Sequence, residues 1–253
     1  MPVALTRPVP RSLGSCELTH LERTTIDVER ATVQHAAYEA ALRAAGCRVE
    51  HIEAADHLPD SVFVEDAAIV LDELAVITRP GARSRQAEIE SVERALSPYR
   101  RIERIIAPGS VDGGDVLRLG RMLYVGMSTR SNTEGARQLA AILAPSGYTL
   151  RCARVRGCLH LKSAVTEIDA RRVLLNPEWI DARTFDGYEP VPVHPDEPFA
   201  ANVLRIGNAL ICAAAHGRTA DLLRARNCDV RPVDVSELAK AEAGVTCCSL
   251  ILA

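Results

Sequence analysis

Apolar positions along the chain fall into short runs that come in pairs, each pair joined by a polar or glycine turn, which is the pattern of β-hairpins. Positions 66–71 are followed by a turn at Asp72-Glu73, a second run at 74–78, Pro80-Gly81 and a helical stretch over 84–97. The same order starts again at Asp112 (112–119, a turn at Gly120-Arg121, 122–126 and a helix over 133–143) and at His160 (160–166, a turn at Asp169-Ala170 and 172–176). It starts once more at Asn202 (202–206, a turn at Gly207-Asn208, 209–212 and a helix near 219–225), and a truncated copy begins at Cys247. Further strands fall between the copies, at 47–52, 102–106, 149–155 and 228–233. Helices precede them, such as 33–45, where Ala36, Ala37, Ala40, Ala41 and Ala44 share one face.

The copies start 46, 48, 42 and 45 residues apart, a spacing regular enough to predict one repeated α/β unit. An ordinary open α/β sheet also alternates strand and helix, but it need not repeat a hairpin after every crossover. Arranged radially, the units would bring Asp66, Asp112, His160, Asn202 and Cys247 together near one axis.

Composition narrows the function classes. Hydrophobic residues make up 47% of the 253-residue chain and aromatics 4%, which predicts an aliphatic core; the length suits one large domain or two ordinary ones, and the repeated unit favours a single domain spanning 1–253. A net charge of -3 supplies no basic field, so no nucleic-acid partner is expected. No run approaches the roughly 18 apolar residues of a membrane span. Residues 1–15 hold Arg7, Arg11 and three prolines with no signal-peptide core, so a cytoplasmic location is expected. The eight cysteines show no CxxC spacing, which predicts free thiols and no structural metal. No cofactor is expected either.

The segment Gly244-Val245-Thr246-Cys247-Cys248-Ser249 sets two thiols before an apolar run. If the strand begins at or before them they face opposite sides, one toward a cavity and one toward the core. A thiol becomes a useful nucleophile as thiolate beside an imidazole, and His160 is the histidine that opens a repeat. On the residues alone, His160 fits a satisfied core histidine equally well. In Asp112-Gly113-Gly114-Asp115 two glycines allow close approach to a backbone flanked by carboxylates. Asp60, Glu65 and Asp66 add three acids. On a straight strand Asp60 and Asp66 would stand about 20 Å apart, so 60–65 is expected to be a loop that folds back. Carboxylates around a thiol and an imidazole suit a planar cation such as a guanidinium.

With these motifs in hand the chain resembles the dimethylarginine dimethylaminohydrolases of the guanidino-group-modifying superfamily. The matching stretches run through 59–66, 77–85, 112–116, 126–132, 159–163, 198–202 and 244–249, in order and over the chain from about residue 16. The resemblance implies a five-bladed pseudo-symmetric α/β propeller. It implies Cys247 as nucleophile, His160 as acid/base and Asp112 as the carboxylate beside both substrate and histidine. It further implies Asp60 and Asp66 on the guanidinium, Glu65 near the substrate's amino end, Arg85 and Arg130 on its α-carboxylate, and Leu18 in a mobile lid. Read without the resemblance, both arginines would be solvated charges at helix ends. Ala241-Glu242-Ala243 depart from the acid-Gly pair more usual in the family. The implied reaction releases an alkylamine from an Nω-methylated arginine to leave citrulline, in a monomer or homodimer. An arginine deiminase-like hydrolase of another guanidine and a non-catalytic binding protein of the same fold are the alternatives.

Overall fold

The computed structural model describes residues 1–252. Its strands form five three-stranded sheets, and every sheet is built the same way: an antiparallel pair in which the middle strand takes a third, parallel strand on its other side. The first sheet is Ala68–Val70, Leu74–Ile77 and Arg101–Arg104, with Ala68 opposite Ile77 and Leu74 beside Arg101. The second is Val116–Leu119, Met122–Gly126 and Thr149–Ala153, and the fourth is Val203–Ile206, Ala209–Ala213 and Asp229–Val233. Parallel pairing requires a crossover. The helices Ile89–Leu96, Thr133–Leu143 and Gly217–Arg224 lie in these three crossovers.

Two blades depart from what the pattern predicted. The third, Val165–Glu167, Arg172–Leu175 and Glu189–Pro192, has among the described residues only the 3-10 helix Ala182–Thr184 in its crossover. Its outer strand was not legible because Pro190 and Pro192 lie in it, and proline lacks the ladder N–H that a central strand needs. The edge position tolerates them. The fifth blade is completed from the far end of the sequence: Val3–Thr6 pairs antiparallel with Leu250–Leu252 and parallel with Arg48–His51. The repeat that looked truncated at Cys247 is therefore whole.

The helix expected over 33–45 runs Val28–Ala44, and Asp27 caps it by accepting the Arg30 N–H. Its alanine stripe does not pack. Ala36, Ala37, Ala40 and Ala44 are exposed, while Ala31, Gln34, His35, Tyr38, Glu39 and Leu42 form the buried face. Four of those six, Gln34, His35, Tyr38 and Glu39, carry polar groups, which is why hydrophobic periodicity pointed elsewhere. Apolar side chains fill the spaces between neighbouring blades: Ile69, Val76, Val111, Val125 and Leu139 form one such cluster, and Leu117, Tyr124, Leu161, Val173 and Phe185 another.

Candidate active site

The chemically capable residues were expected to open the inner strands. They lie instead on short helical turns just before them. Asp66 is within the 3-10 turn Val64–Ala67, Asp112 precedes the turn Gly113–Asp115, and His160 precedes the single-turn helix Leu161–Ala164. Cys247 and Cys248 sit in a turn ahead of Leu250–Leu252, so strand alternation does not govern them. They nevertheless separate: Cys247 is half-buried against the cavity and Cys248 is buried in the core. Asp60 lies in the turns of 59–62, outside any strand, and shares the cavity with Asp66.

The two glycines after Asp112 make the convergence possible. A Cβ on Gly113 would stand 1.9 Å from the Glu65 carbonyl oxygen, and one on Gly114 would stand 2.7 Å from both Asp66 Oδ1 and His160 Nδ1. No residue with a side chain fits there without moving the backbone. Across that gap the Gly114 N–H donates to Asp66 Oδ1 at 2.9 Å.

A small cavity results, lined by Glu17, Asp60, Phe63, Asp66, Arg85, Arg130, Leu159, His160, residues 241–243 and Cys247. Asp112 Oδ2 lies 3.0 Å from His160 Nε2, and Asp66 Oδ1 lies 3.8 Å from Nδ1. Burial depresses the imidazole's proton affinity, but Asp66, the hydrogen bond to Asp112 and Asp115 outweigh it and raise His160 to about 9. Burial pushes the Cys247 thiol up to about 12, reinforced by Glu65 and Asp66. At neutral pH the pair therefore rests as thiol and imidazolium. The Gly244 N–H points at Sγ from 3.3 Å.

Arg85 is buried, contrary to the expectation of a solvated charge. Its Nη1 donates to Asp66 Oδ2 at 2.5 Å, its Nε and Nη2 hold Glu88 at 3.1 and 2.9 Å, and Nη2 also reaches the Phe63 carbonyl at 3.0 Å. Burial favours the uncharged form of Asp66, yet His160 and Arg85 prevail and hold it well below the usual carboxylate range. Arg130 is buried as well, with Nη1 3.6 Å from Asp112 Oδ2 and Nη2 donating to Thr19 Oγ1 at 3.1 Å. Asp60 accepts the Glu17 N–H at 3.1 Å, and burial raises its pKa.

Two of the predicted contacts lie elsewhere. Glu65 lines the channel on the opposite side of the axis, where it accepts from Lys162 at 2.6 Å and from the Thr246 hydroxyl at 2.7 Å. Both of its carboxylate oxygens are engaged there by protein donors. Leu18 is half-buried, but its side chain packs on the core cluster around Phe63. Its neighbours Glu17 and Thr19 are the flap residues that reach the cleft. The arrangement also enlists Glu88, Lys162, Thr246 and Asn202, whose carboxamide holds Thr246 through bonds of 3.0 and 3.1 Å. Glu88 could have been found by its i,i+3 spacing from Arg85.

Oxygen and nitrogen atoms of Asp66, Asp112 and His160 lie close enough together to hold a metal ion. Asp66 already accepts from Arg85 and Gly114, and Asp112 from the Gly81 N–H at 2.8 Å, so protein donors satisfy this donor set. Among the described residues no helix is long and apolar enough to cross a membrane.

No family model matches the chain. A curated dimethylarginine dimethylaminohydrolase of Streptomyces coelicolor is 41% identical over 248 residues, which cover 97% of this chain and 95% of the relative. The chain belongs to the dimethylarginine dimethylaminohydrolase family. The Pseudomonas aeruginosa enzyme of this family, solved as a cysteine-to-serine variant with citrulline, superposes with a TM-score of 0.94 at 33% identity, covering 98% of each chain. A histidine-to-glycine variant of a dimethylarginine dimethylaminohydrolase, solved as an adduct with S-methyl-L-thiocitrulline, matches with a TM-score of 0.93, 33% identity and the same coverage. The fold is the five-bladed α/β propeller that the family resemblance implied.

Proposed function

We propose that this chain hydrolyses Nω-methylated arginine to citrulline and an alkylamine, with Cys247 as nucleophile. The observation that carries the reading is one cavity holding a thiol, an imidazole fixed between two carboxylates, and a further carboxylate, Asp60. The citrulline and thiocitrulline complexes of the two family members support the same substrate class.

A bound guanidinium brings positive charge to the carboxylates and to the thiol. At about 4 Å each opposite charge contributes on the order of 4 kcal/mol at an effective dielectric near 20, before desolvation is subtracted. That field favours thiolate over thiol, so the substrate itself draws the Cys247 proton off to solvent. The thiolate then attacks the guanidinium carbon, and His160 passes its proton to the alkylated nitrogen. The amine leaves, and an S-alkylthiouronium remains on Cys247. Neutral His160 next takes a proton from water, whose oxygen adds to the same carbon. Collapse to the urea carbonyl of citrulline expels the sulfur, which takes the hydroxyl proton and restores the Cys247 thiol. In this reading Asp112 keeps His160 oriented and charged, Asp60 and Asp66 face the guanidinium, and Arg130 and Arg85 attract the α-carboxylate.

Incubation with asymmetric dimethylarginine should yield citrulline and dimethylamine in equal amounts, and Cys247→Ser should abolish both. Activity on unmethylated arginine alone, with ammonia as product, would instead assign the chain to deiminase chemistry.

A further inference from the structure

The cavity around Cys247 has an accessible volume of about 20 Å³, enough for a water molecule or two and far short of an amino acid. The segment 16–23 borders this cleft, with Glu17 in its lining and Thr19 bonded to Arg130. Three consecutive backbone N–H groups of this flap, from Thr19, His20 and Leu21, converge on the carboxylate of Glu242 at 3.0, 2.5 and 2.5 Å. Successive amides turned toward one anion form a nest, and charge-assisted hydrogen bonds are about twice as strong as neutral ones. Glu242 itself stands at φ 59, the left-handed region that favours glycine, so its presence there runs against its backbone preference.

Glu242 also borders two cavities. One is the cleft with Cys247; the other is an apolar cavity of about 170 Å³ on its far side, where Leu21 of the flap, Val235, Ala239 and Ala243 meet. The flap is tied down by Asp60, through the Glu17 N–H, and by Arg130, through Thr19. Both groups are claimed by the substrate in the functional reading above. The Glu242 nest uses neither, so it can persist when the cleft is filled.

We propose that Glu242 is a positioning residue that latches the flap over the cleft through the amides of residues 19–21, and thereby sets how tightly substrate is held. The part that concerns substrate rests on the proposed function; the latch itself does not.

Two variants of the whole chain test it, Glu242→Ala and Glu242→Gly. Glycine relieves the left-handed backbone while removing the carboxylate, so this variant should fold at least as well as the alanine one. In both, hydrogen exchange of the amides at 19–21 should speed up about tenfold or more, the factor expected when hydrogen bonds to a charged group are lost. KM for asymmetric dimethylarginine should rise about tenfold while kcat stays within about twofold, since the flap acts on holding more than on bond breaking. Unchanged exchange at 19–21 in both variants overturns the latch. Faster exchange with an unchanged KM overturns its role in substrate holding. A wild-type chain that leaves methylarginines untouched but shows the exchange effect overturns the functional reading and leaves the latch standing.

Discussion

Asp112 and His160 meet through a 3.0 Å contact between Oδ2 and Nε2, while the other oxygen of Asp112 is fixed by the Gly81 N–H at 2.8 Å. The carboxylate is anchored by backbone, so it can orient the imidazole without turning away. Together with Asp66 on the opposite ring nitrogen it keeps His160 protonated to about pH 9.

Asp112→Asn removes one of the charges that raise His160, and its pKa should fall. Where turnover needs the imidazolium as proton donor, the alkaline limb of kcat, expected near pH 9 in the wild type, should move down by about one unit or more. A kcat profile from pH 6 to 10 checks this, and an unmoved limb would detach Asp112 from the proton transfer.

Stability should depend on pH in the same direction. A histidine whose folded pKa lies above its ordinary value of about 6.5 contributes stability that is full below that value and is lost as pH rises toward about 9. The raised Cys247 thiol acts likewise: above pH 9 the unfolded thiol ionises while the folded one stays protonated to about 12. Melting temperature should therefore be higher at pH 6.5 than at pH 9.5. Replacing His160 by Ala should flatten most of that fall.

Breaking the Arg85 and Glu88 pair should be expensive. Both side chains are buried, and breaking such a pair costs about 3–5 kcal/mol where the other charge is stranded; Arg85 keeps Asp66, so the lower end of that range is expected. Glu88→Ala should lower the denaturation midpoint by a corresponding amount, and should raise KM as Arg85 loses its fixed position. Urea titration and steady-state kinetics measure the two effects separately.

Lys162 and Glu65 invite a double-mutant cycle. Lys162→Met alone leaves Glu65 buried with only the Thr246 hydroxyl, and should destabilise by about 3 kcal/mol or more. Adding Glu65→Gln removes the stranded charge, and the double variant should regain most of that loss. Strict additivity would show that the pair is not coupled.

Much of this architecture was readable in the residues because hairpins and glycine turns recur at nearly constant spacing. The Gly-Gly turn announced a close approach, and the structure identifies what approaches: the Glu65 carbonyl, Asp66 and His160. What escaped did so for local reasons. Pro190 and Pro192 hide an edge strand, and the polar buried face of Val28–Ala44 defeats periodicity. Arg85 and Arg130 looked like solvated charges because nothing near them in sequence shows that Asp66 and Asp112 come from distant blades to meet them. Glu65 points to the channel because its partner, Lys162, is contributed by another blade.

The blade that carries Cys247 has a consequence for the birth of the protein. Val3–Thr6 leaves the ribosome long before its neighbour Leu250–Leu252, since the other four blades are made between them. Until then the early strand has an unpaired margin and the ring stays open, so folding waits on a contact of very long sequence separation. The cleft is therefore assembled at a single moment, when two strands with four blades between them in sequence dock side by side.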